Sequence, residues 1–372
     1  MQDKAKSYSN IKYGLSIAGV VYTFILFFLF LRLGFSRRIS FWLAGYLPGF
    51  LILPTYLILI FLGYYFLDLP FNLYRSYILE HQFSLSNQTF KDWWNDQLKS
   101  GVISFVIGFI LIAAFYFILK RFPGRWWQVI SIFWVFFSVI LAKVMPVVII
   151  PLFFKYKKLT DEVLRDRIMR LAKKMNLKLI DCFEIDFSRK TLKANAAFIG
   201  LGNTRRVLLA DTLRGKYSHD EIEVILAHEF AHYKFKHLFK LIMINSFFTL
   251  TVFYIIFKTC AYALNFFGFT DLSDIAALPL LFIYLLLFGI ITQPLEAFIS
   301  RSFERSADLK ALEATGLREA FVSTMNKLAQ QNLADRKPHP IIKFFFFDHP
   351  PIDERIALGD AFQGASLENK KT

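Results

Sequence analysis

The sequence predicts a mainly α-helical, polytopic membrane bundle of about six spans, with a small α+β part outside the bilayer. The first observation is composition: 55% of the 372 residues are hydrophobic and 45 are phenylalanine. Soluble globular chains are usually about 45–50% apolar, and a core of this size could not bury the excess. The second observation is that the apolar residues fall in six long runs. The third is that amphipathic segments with capping signals separate these runs. Two cysteines are too few for a disulfide framework.

Each of the six apolar runs is long enough to cross a bilayer as a helix, which needs about 20 residues. No small-residue cleavage site follows the first run, so an uncleaved span is expected rather than a signal peptide. Six spans place both chain termini on one side of the membrane. The predicted spans are residues 11–32, 43–66, 101–119, 127–153, 241–264 and 277–299.

These spans divide the chain into four parts. Residues 1–154 hold spans one to four and a long loop at 67–100. Residues 155–240 form a soluble α+β segment, and residues 241–299 hold spans five and six. Residues 300–372 supply C-terminal helices and a polar tail.

The soluble segment has a readable order of elements. A Thr–Asp cap signal opens an amphipathic helix at 160–176. Three short β-like runs follow at 177–187, 194–200 and 205–211. Ser218 and Glu221 have capping-box spacing, so a helix is expected to begin there and continue into span five.

The formal net charge of +15 could indicate nucleic acid or anionic lipid as partner. The basic residues lie outside the apolar runs and are not interleaved with aromatic residues, which argues against nucleic acid. Membrane lipids are the expected partners. Because the basic segment 155–240 shares a side with both termini, that side is expected to face the cytosol.

A metal-binding motif lies on the predicted helix after Ser218. In the run AHEFAH, His228 and His232 are four residues apart and therefore share one helix face, from which both can reach one metal ion. Glu229 is placed beside the first histidine to take a proton from a water at the site. The alternative is a helix with unrelated polar residues, which this spacing and the good cap make improbable.

A third ligand is required, because catalytic zinc sites use three protein ligands and keep one position open. The segment SRSFERSAD follows span six, and Glu304 and Asp308 share a face there. Glu304 is expected to complete the site, with Asp308 accepting a hydrogen bond from a ligand histidine. The alternative is an exposed charged helix on which Arg301 and Arg305 pair with these carboxylates.

Five motifs, in order, resemble the zinc-dependent CAAX prenyl endopeptidase family of multi-spanning membrane proteases. The motifs are LPFNLYRSYILEHQFSLSNQTF, KANAAFIG with RRVLLADTL, HEFAHYKFKH, SFERSAD and DHPPIDERI. The resemblance implies one Zn²⁺ per chain and removal of the last three residues of a prenylated CAAX protein. It also implies an active site that faces the cytosol, at the inner membrane of a bacterium or the endoplasmic reticulum of a eukaryote.

The resemblance also implies roles for three further residues. Asn195 would lie on a strand edge that pairs with the substrate backbone. His349 and Arg355 would stabilise the charge that develops on the carbonyl oxygen. His237 matches a recurrent histidine of the family, but it lies five residues beyond His232 and is left outside the metal ligands.

Two other functions stay open at this stage. One is a quality-control membrane zinc protease that cleaves misfolded membrane proteins and would need no prenyl group. The other is a non-catalytic transporter or scaffold. The spans carry almost no ionisable residues away from their ends, apart from Lys143, which argues against a transporter.

Overall fold

A computed structural model of the chain describes residues 2–179, 181–199 and 206–362. It is built mainly from helices, with one small sheet. The helices before the sheet are α1 (Gln2–Arg32), α2 (Phe35–Tyr46), α3 (Gly49–Leu73), α4 (Leu79–Gln82), α5 (Phe90–Arg121), α6 (Trp126–Val144) and α7 (Ile150–Phe153). The remaining helices are α8 (Glu162–Lys174), α9 (His219–Lys234), α10 (His237–Phe267), α11 (Leu278–Thr315), α12 (Arg318–Gln331), α13 (Pro340–Phe346) and α14 (Ile352–Ala361). The strands are β1 (Tyr156–Lys158), β2 (Asp181–Ile185), β3 (Ala196–Ile199) and β4 (Arg206–Ala210).

The predicted fold class is confirmed. Within the described residues, six helical segments are long and apolar enough to cross a membrane. Their side chains form one continuous apolar core between the spans, while many large apolar side chains remain exposed on the outer surface, as expected for helices in lipid. The six segments are Asp3–Arg32, Gly49–Gln82, Phe90–Arg121, Trp126–Phe153, His237–Phe267 and Ile275–Thr315.

The second span begins later than the sequence predicts. Residues 43–46 belong to α2, whose 12 residues are too short to span. Pro48 disfavours the α conformation at the residue before it, and Leu47 is accordingly extended with φ −119° and ψ 144°. The helix restarts at Gly49 with Pro48 as its N-cap. The expected span 43–66 is therefore corrected to one that starts at Gly49.

Most of the predicted loop 67–100 is helical. Helix α3 continues beyond the apolar run and passes through a π-helical turn, Tyr74–Ile78, into α4. Polar side chains in this segment bind the start of α5 instead of water: Trp93 Nε1 donates to Ser76 Oγ at 2.9 Å, and Asn72 donates to Gln97 at 2.7 Å. Only residues 83–89 separate the two helices. Residues 67–100 are polar because their side chains join two paired helices, and not because they form a loop.

The predicted soluble helix at 160–176 and the three predicted β-like runs form within the described residues. Asp161 caps α8, accepting a hydrogen bond from the backbone of Leu164 at 2.9 Å. The described strands make one sheet in the order β1-β2-β4-β3, with β2 and β4 parallel and the other pairs antiparallel. One face of this sheet packs with α8, α9 and part of α11 around a second apolar core. Strand β3 lies at one edge of the sheet.

Two helices carry the chain between membrane and soluble part, in different ways. Helix α11 runs without interruption for 38 residues from span six into the soluble core. Between α9 and α10, by contrast, the helix predicted to run into span five is broken, because Lys236 adopts a left-handed conformation with φ 54°. The break changes the direction of the chain one residue before His237.

The polar tail predicted after about residue 362 lies outside the described residues.

Candidate metal centre and active site

Helices α9 and α11 bring the predicted metal ligands together. The capping box at the start of α9 is formed in both directions: Ser218 N donates to Glu221 at 2.7 Å, and Glu221 N to Ser218 Oγ at 3.3 Å. The face of α9 that carries Leu226, Ala227 and Phe230 is fully buried against the soluble core. This packing fixes the rotation of α9 about its axis, and therefore the direction in which its histidines point.

Three side chains converge at one point. The Nε2 atoms of His228 and His232 are 3.0 Å apart. Glu304 reaches between them, with Oε2 at 3.1 Å from His228 Nε2 and Oε1 at 3.2 Å from His232 Nε2. His228 and Glu304 are buried, and His232 is partly exposed.

A buried carboxylate orients the first of these histidines. Asp308, which is completely buried, lies 2.8 Å from His228 Nδ1. A carboxylate can only accept, so Nδ1 carries the hydrogen and Nε2 of a neutral ring presents its lone pair to the cluster. Arg355 holds Asp308 with two hydrogen bonds, at 2.8 Å from Nε and 2.6 Å from Nη2. Burial favours the neutral ring of His228, but Asp308 and Glu304 raise its pKa to about 9, so the site attracts a positive charge.

A second chain of hydrogen bonds orients His232, and it passes through His237. Ser306 donates to the carbonyl of Phe303 at 2.7 Å, so its oxygen is free to accept from His237 Nε2 at 3.4 Å. His237 Nδ1 then accepts from His232 Nδ1 at 3.0 Å. In this arrangement His232 Nε2, like that of His228, presents a lone pair to the cluster. The His237 ring is held by stacking on Phe303, with ring centres 4.4 Å apart.

Glu229 and His349 complete the polar side of the centre. Glu229 follows the first ligand and lines an adjoining cavity, and its burial raises its pKa. His349 lies with Nε2 3.2 Å from Glu304 Oε2 and Nδ1 2.9 Å from Asp348. Although burial favours its neutral form, Asp348 and Glu304 hold the pKa of His349 above its usual value. The ring is therefore poised to carry a proton at the edge of the cluster.

The centre opens into a cavity of about 560 Å³. Asn195, which directly precedes the edge strand β3, lines this cavity together with Ala196. The Asn195 carbonyl accepts from Ala210 N at 3.1 Å, which holds the start of the strand in place. Residues of α1, the first membrane span, also line this cavity.

The residues of the cluster fit a bound metal ion. Tetrahedral ligands about 2.0–2.2 Å from a zinc-sized ion lie about 3.3–3.6 Å from one another, close to the 3.0–3.2 Å separations of the three side chains. Glu304 Oε2 is buried, and no described donor is aligned to hydrogen-bond it. Two imidazole lone pairs and a carboxylate at one point are mutually unfavourable unless they share a cation. His228, His232 and Glu304 are accordingly the ligand group that the described residues offer.

All the site residues that the sequence predicted lie in this one region. Two further residues lie there that the sequence did not select, His237 and Lys12. His237 was left out because five residues of continuous helix rotate a side chain by about 140°; the left-handed Lys236 cancels that rotation. Lys12, which lines the cavity beside the cluster, was not selected because it lies in the first span, far from every motif. Its signal was present, since Ser9, Lys12 and Ser16 recur at helical spacing on one face.

Family models match both halves of the chain. Residues 158–359 match the model of peptidase family M48, and residues 2–155 match the model described as the CAAX prenyl protease N-terminal, five membrane helices. The chain belongs to peptidase family M48. The second match assigns its N-terminal half to the membrane domain of the CAAX prenyl protease branch.

Individual relatives cover nearly the whole chain. The uncharacterized metalloprotease YhfN of Bacillus subtilis is 32% identical, over 97% of this chain and 86% of that protein. CAAX prenyl protease 1 of Saccharomyces cerevisiae is 28% identical, over 96% of this chain and 85% of that protein. The crystal structure of S. mikatae Ste24p superposes with a TM-score of 0.83 at 25% identity, covering 96% of this chain and 87% of that one.

These matches confirm the predicted enzyme class. The chain is a multi-span membrane metalloprotease of the CAAX prenyl protease family, and the non-catalytic transporter or scaffold is excluded. A quality-control protease is not favoured, because residues 2–155 match the CAAX prenyl protease N-terminal model.

Proposed function

We propose that this M48 peptidase is a zinc-dependent endopeptidase that removes the three C-terminal residues of prenylated CAAX proteins on the cytosolic side of its membrane. The observation that supports this most is the position of the His228–His232–Glu304 cluster. The cluster joins a soluble helix to a helix that continues from the membrane, and it adjoins a cavity lined by the start of the edge strand and by the first span. A lipid-modified peptide could reach such a cavity from the bilayer.

His228, His232 and Glu304 would hold the zinc ion, with Asp308 and His237 fixing the two imidazole rings. Zinc at this position would polarise the scissile carbonyl and make a nearby water easier to deprotonate. The remaining chemistry belongs to the chain's own residues. Its peptidase class requires water to attack the carbonyl carbon and the C–N bond to break.

Glu229 acts as the general base and then as the general acid. It accepts one proton from the attacking water and passes that proton to the leaving amine nitrogen. Burial raises its pKa above the usual value for a glutamate, which makes the carboxylate a better proton acceptor in this role. It accepts no described hydrogen bond that would hold the side chain away from the cavity.

His349 and Arg355 stabilise the negative charge that develops on the carbonyl oxygen. His349 lies at the edge of the cluster, and its proton would be the nearer donor. Two of the three guanidinium nitrogens of Arg355 bind Asp308, so only Nη1 is left for the substrate. Arg355 is accordingly proposed to contribute mainly by holding Asp308, with a smaller direct part in charge stabilisation.

The edge strand β3 would bind the substrate as an added strand. The Asn195 carbonyl already binds Ala210 N, so main-chain hydrogen bonds from neighbouring residues of the strand would hold an extended peptide, with little demand on sequence. Apolar side chains that line the same cavity, including Phe321, Met325, Phe346 and Phe347, offer a surface for a lipid-bearing segment. Partners would therefore be membrane lipids and a peptide or protein that carries a prenyl group.

Cleavage of paired peptides tests the proposal. The purified protein in lipid nanodiscs is given a farnesylated CAAX peptide and its unprenylated twin, and products are identified by mass spectrometry. A released tripeptide and faster turnover of the farnesylated peptide are expected, with none from the Glu229→Gln variant. Equal cleavage of both peptides at scattered bonds would overturn the substrate assignment and leave the peptidase class in place.

A further inference from the structure

One wall of the active-site cavity comes from the first membrane span. Tyr8, Ser9, Lys12, Tyr13 and Ser16 of α1 line it, at the spacing of a single helix face. The metal-binding helix α9 lines the same cavity with His228 and Glu229. Ionisable residues on a membrane span that face a cavity commonly mark a substrate path. Lys12 is the residue of this kind on the α1 wall.

The charges around Lys12 do not balance. Glu80 accepts from Tyr8 at 2.5 Å and pairs with Lys193 at 2.7 Å, so its single negative charge is already matched. Lys193 also donates to the Tyr8 hydroxyl at 2.9 Å. Both Lys12 and Lys193 lie over the Tyr8 ring, with their Nζ atoms 5.3 and 5.4 Å from its centre. The group holds two cations and one anion, and Lys12 carries the unmatched charge.

Of the other charged side chains that line the cavity, Glu229 belongs to the catalytic centre and the rest have partners of their own. Asp348 is paired with His349, and Arg355 is held by Asp308. Asp335 accepts from Tyr13 at 3.4 Å and from the backbone of Lys337 at 3.2 Å. Lys12, by contrast, makes no ion pair or side-chain hydrogen bond with the residues that the structure describes, and its side chain is exposed to the cavity. An ammonium in this position offers three donors to an incoming anion.

We propose that Lys12 binds the C-terminal α-carboxylate of the peptide substrate. This proposal rests on the proposed function, in which the bond cleaved lies three residues from the substrate's C-terminus. A tripeptide in extended conformation is about 10 Å long, so its carboxylate would lie away from the metal cluster, where another part of the cavity lining, such as α1, could bind it. A carboxylate on the α1 wall would neutralise the surplus charge of Lys12, whereas an uncharged terminus would leave it unmatched. By binding the free C-terminus, Lys12 would place the peptide bond three residues before it at the metal cluster.

Peptide pairs that differ only at the C-terminus test this directly. One peptide ends in a free carboxylate and the other in a carboxamide, and kcat/KM is measured for each with wild type, Lys12→Gln and Lys12→Arg. Hydrogen bonds to charged groups predict a roughly 10–100-fold preference of wild type for the carboxylate. Lys12→Gln should lower cleavage of the carboxylate peptide to the level of the amide, and Lys12→Arg should restore most of the preference. Lys6→Gln, an exposed lysine of the same helix outside this cavity, is the matched control and should keep it.

The measured quantity is the ratio of kcat/KM for the two peptides. A variant that is only misfolded lowers both values and leaves this ratio unchanged. If Lys12→Gln slows both peptides equally, or if wild type shows no preference, Lys12 does not bind the terminus. The phosphate of a lipid headgroup is another anion that Lys12 could bind. Wild type and Lys12→Gln are therefore also assayed in nanodiscs with and without anionic lipid. A Lys12 effect that follows the lipid and ignores the peptide terminus would assign the ammonium to a headgroup and overturn the proposal.

A binding experiment keeps this proposal distinct from the cleavage reaction. The two peptides, labelled at the N-terminus, are titrated by fluorescence anisotropy into Glu229→Gln and into Glu229→Gln with Lys12→Gln. Tighter binding of the carboxylate only where Lys12 is present supports the site even if wild type cleaves neither peptide, a result that would contradict the proposed function alone. Equal affinities for both peptides would overturn the Lys12 assignment whatever the cleavage results.

Discussion

Glu304 connects the two histidines of the cluster, because each of its oxygens faces one of them at 3.1–3.2 Å. We expect Glu304→Ala to remove one of three metal ligands, so that zinc content falls far below one per chain and activity falls with it. Metal analysis by mass spectrometry on purified protein measures this. Glu313→Ala, an exposed glutamate on the same helix, is the control and should retain both. Full zinc occupancy in Glu304→Ala would mean that another residue is the third ligand.

A variant of Glu229 should lose catalysis while it keeps the bound metal. Glu229→Gln keeps the size of the side chain and can still hydrogen-bond water, but it cannot accept a proton. We expect zinc content and thermal stability to match wild type, while turnover falls by roughly 10²–10⁴-fold, the usual loss for a general base. Metal content and turnover are measured on one preparation. Near-normal turnover with zinc present would show that Glu229 is not the base, and lost zinc would show that it supports the metal site.

His237 tests whether orientation of a ligand matters here. His237→Phe keeps a ring stacked on Phe303 but leaves His232 Nδ1 without its acceptor 3.0 Å away. Removing a residue that orients a metal ligand typically weakens metal binding by about 10–100-fold. We expect this loss in chelator competition for zinc. His237→Asn restores an acceptor near Nδ1 and should recover most of the affinity.

The visible spectrum of the cobalt(II)-substituted protein gives a second measure of the same interaction. A changed ligand-field spectrum in His237→Phe, and a wild-type spectrum in His237→Asn, would show that the hydrogen bond sets the geometry of His232. If His237→Phe keeps the wild-type spectrum and zinc affinity, the hydrogen bond does not orient His232 and His237 acts only through packing.

At the scale of the element, helix α9 depends on the cap at its N-terminus. Glu221 accepts from Ser218 N, from Ser323 at 2.6 Å and from Lys327 at 2.7 Å, and so joins α9 to α12. Burial pushes the pKa of Glu221 upward, but these hydrogen bonds outweigh it and hold the pKa below its ordinary value. A carboxylate with a lowered pKa stabilises the fold at any pH above its unfolded value, and that contribution disappears as pH falls through the folded value.

We expect Glu221→Gln to destabilise the protein by about 1–2 kcal/mol at neutral pH, since it loses charged hydrogen bonds and Lys327 is partly exposed. The difference from wild type should shrink as pH falls below about 4.5, where the Glu221 carboxyl of the unfolded chain begins to take up a proton while the folded one is still ionised. Thermal unfolding across pH 3–8 measures it. Glu162→Gln, in an exposed i,i+3 pair with Arg165, should change little at any pH. A pH-independent difference at Glu221 would mean that its charge is not what stabilises the cap.

Elements that depend on local chemistry could be predicted from the sequence, and those that depend on distant partners could not. The Ser218–Glu221 capping box and the Asp161 cap are local, and both form. The break at Lys236 has no local signal, since neither Gly nor Pro is present; tertiary packing around His237 overrides helix propensity there. The segment after residue 66 looked like a loop because its polar partners lie on α5, about 20 residues away.

At the scale of the whole molecule, the active-site cavity is assembled from parts far apart in sequence. Residues of the first span, the edge strand, α9 and the segment after α13 all line it. Motif spacing could select the proposed metal ligands because His228 and His232 lie within one helix, and Glu304 and Asp308 lie within another. It could not place Lys12 beside them, because the contact between the first span and the soluble part depends on how the complete bundle packs. Recognition of the substrate's terminus is accordingly proposed as a property of the assembled bundle, while the metal site belongs mainly to two helices.

The arrangement of the spans makes a final prediction about sidedness. Four spans separate Lys4 from Thr160, and three separate Lys4 from Gly124. An even number of crossings returns the chain to the same side, so cysteines at 4 and 160 should be labelled from one side and a cysteine at 124 from the other. All three positions are exposed, and Cys260 is replaced by alanine while Cys182 is fully buried.

Because the basic segment is proposed to face the cytosol, a membrane-impermeant maleimide added to intact cells should label position 124 only. All three should react once detergent opens the membrane. Labelling of 160 together with 124 in intact cells would mean that the chain crosses the membrane an even number of times between them, and the six-span arrangement would fail.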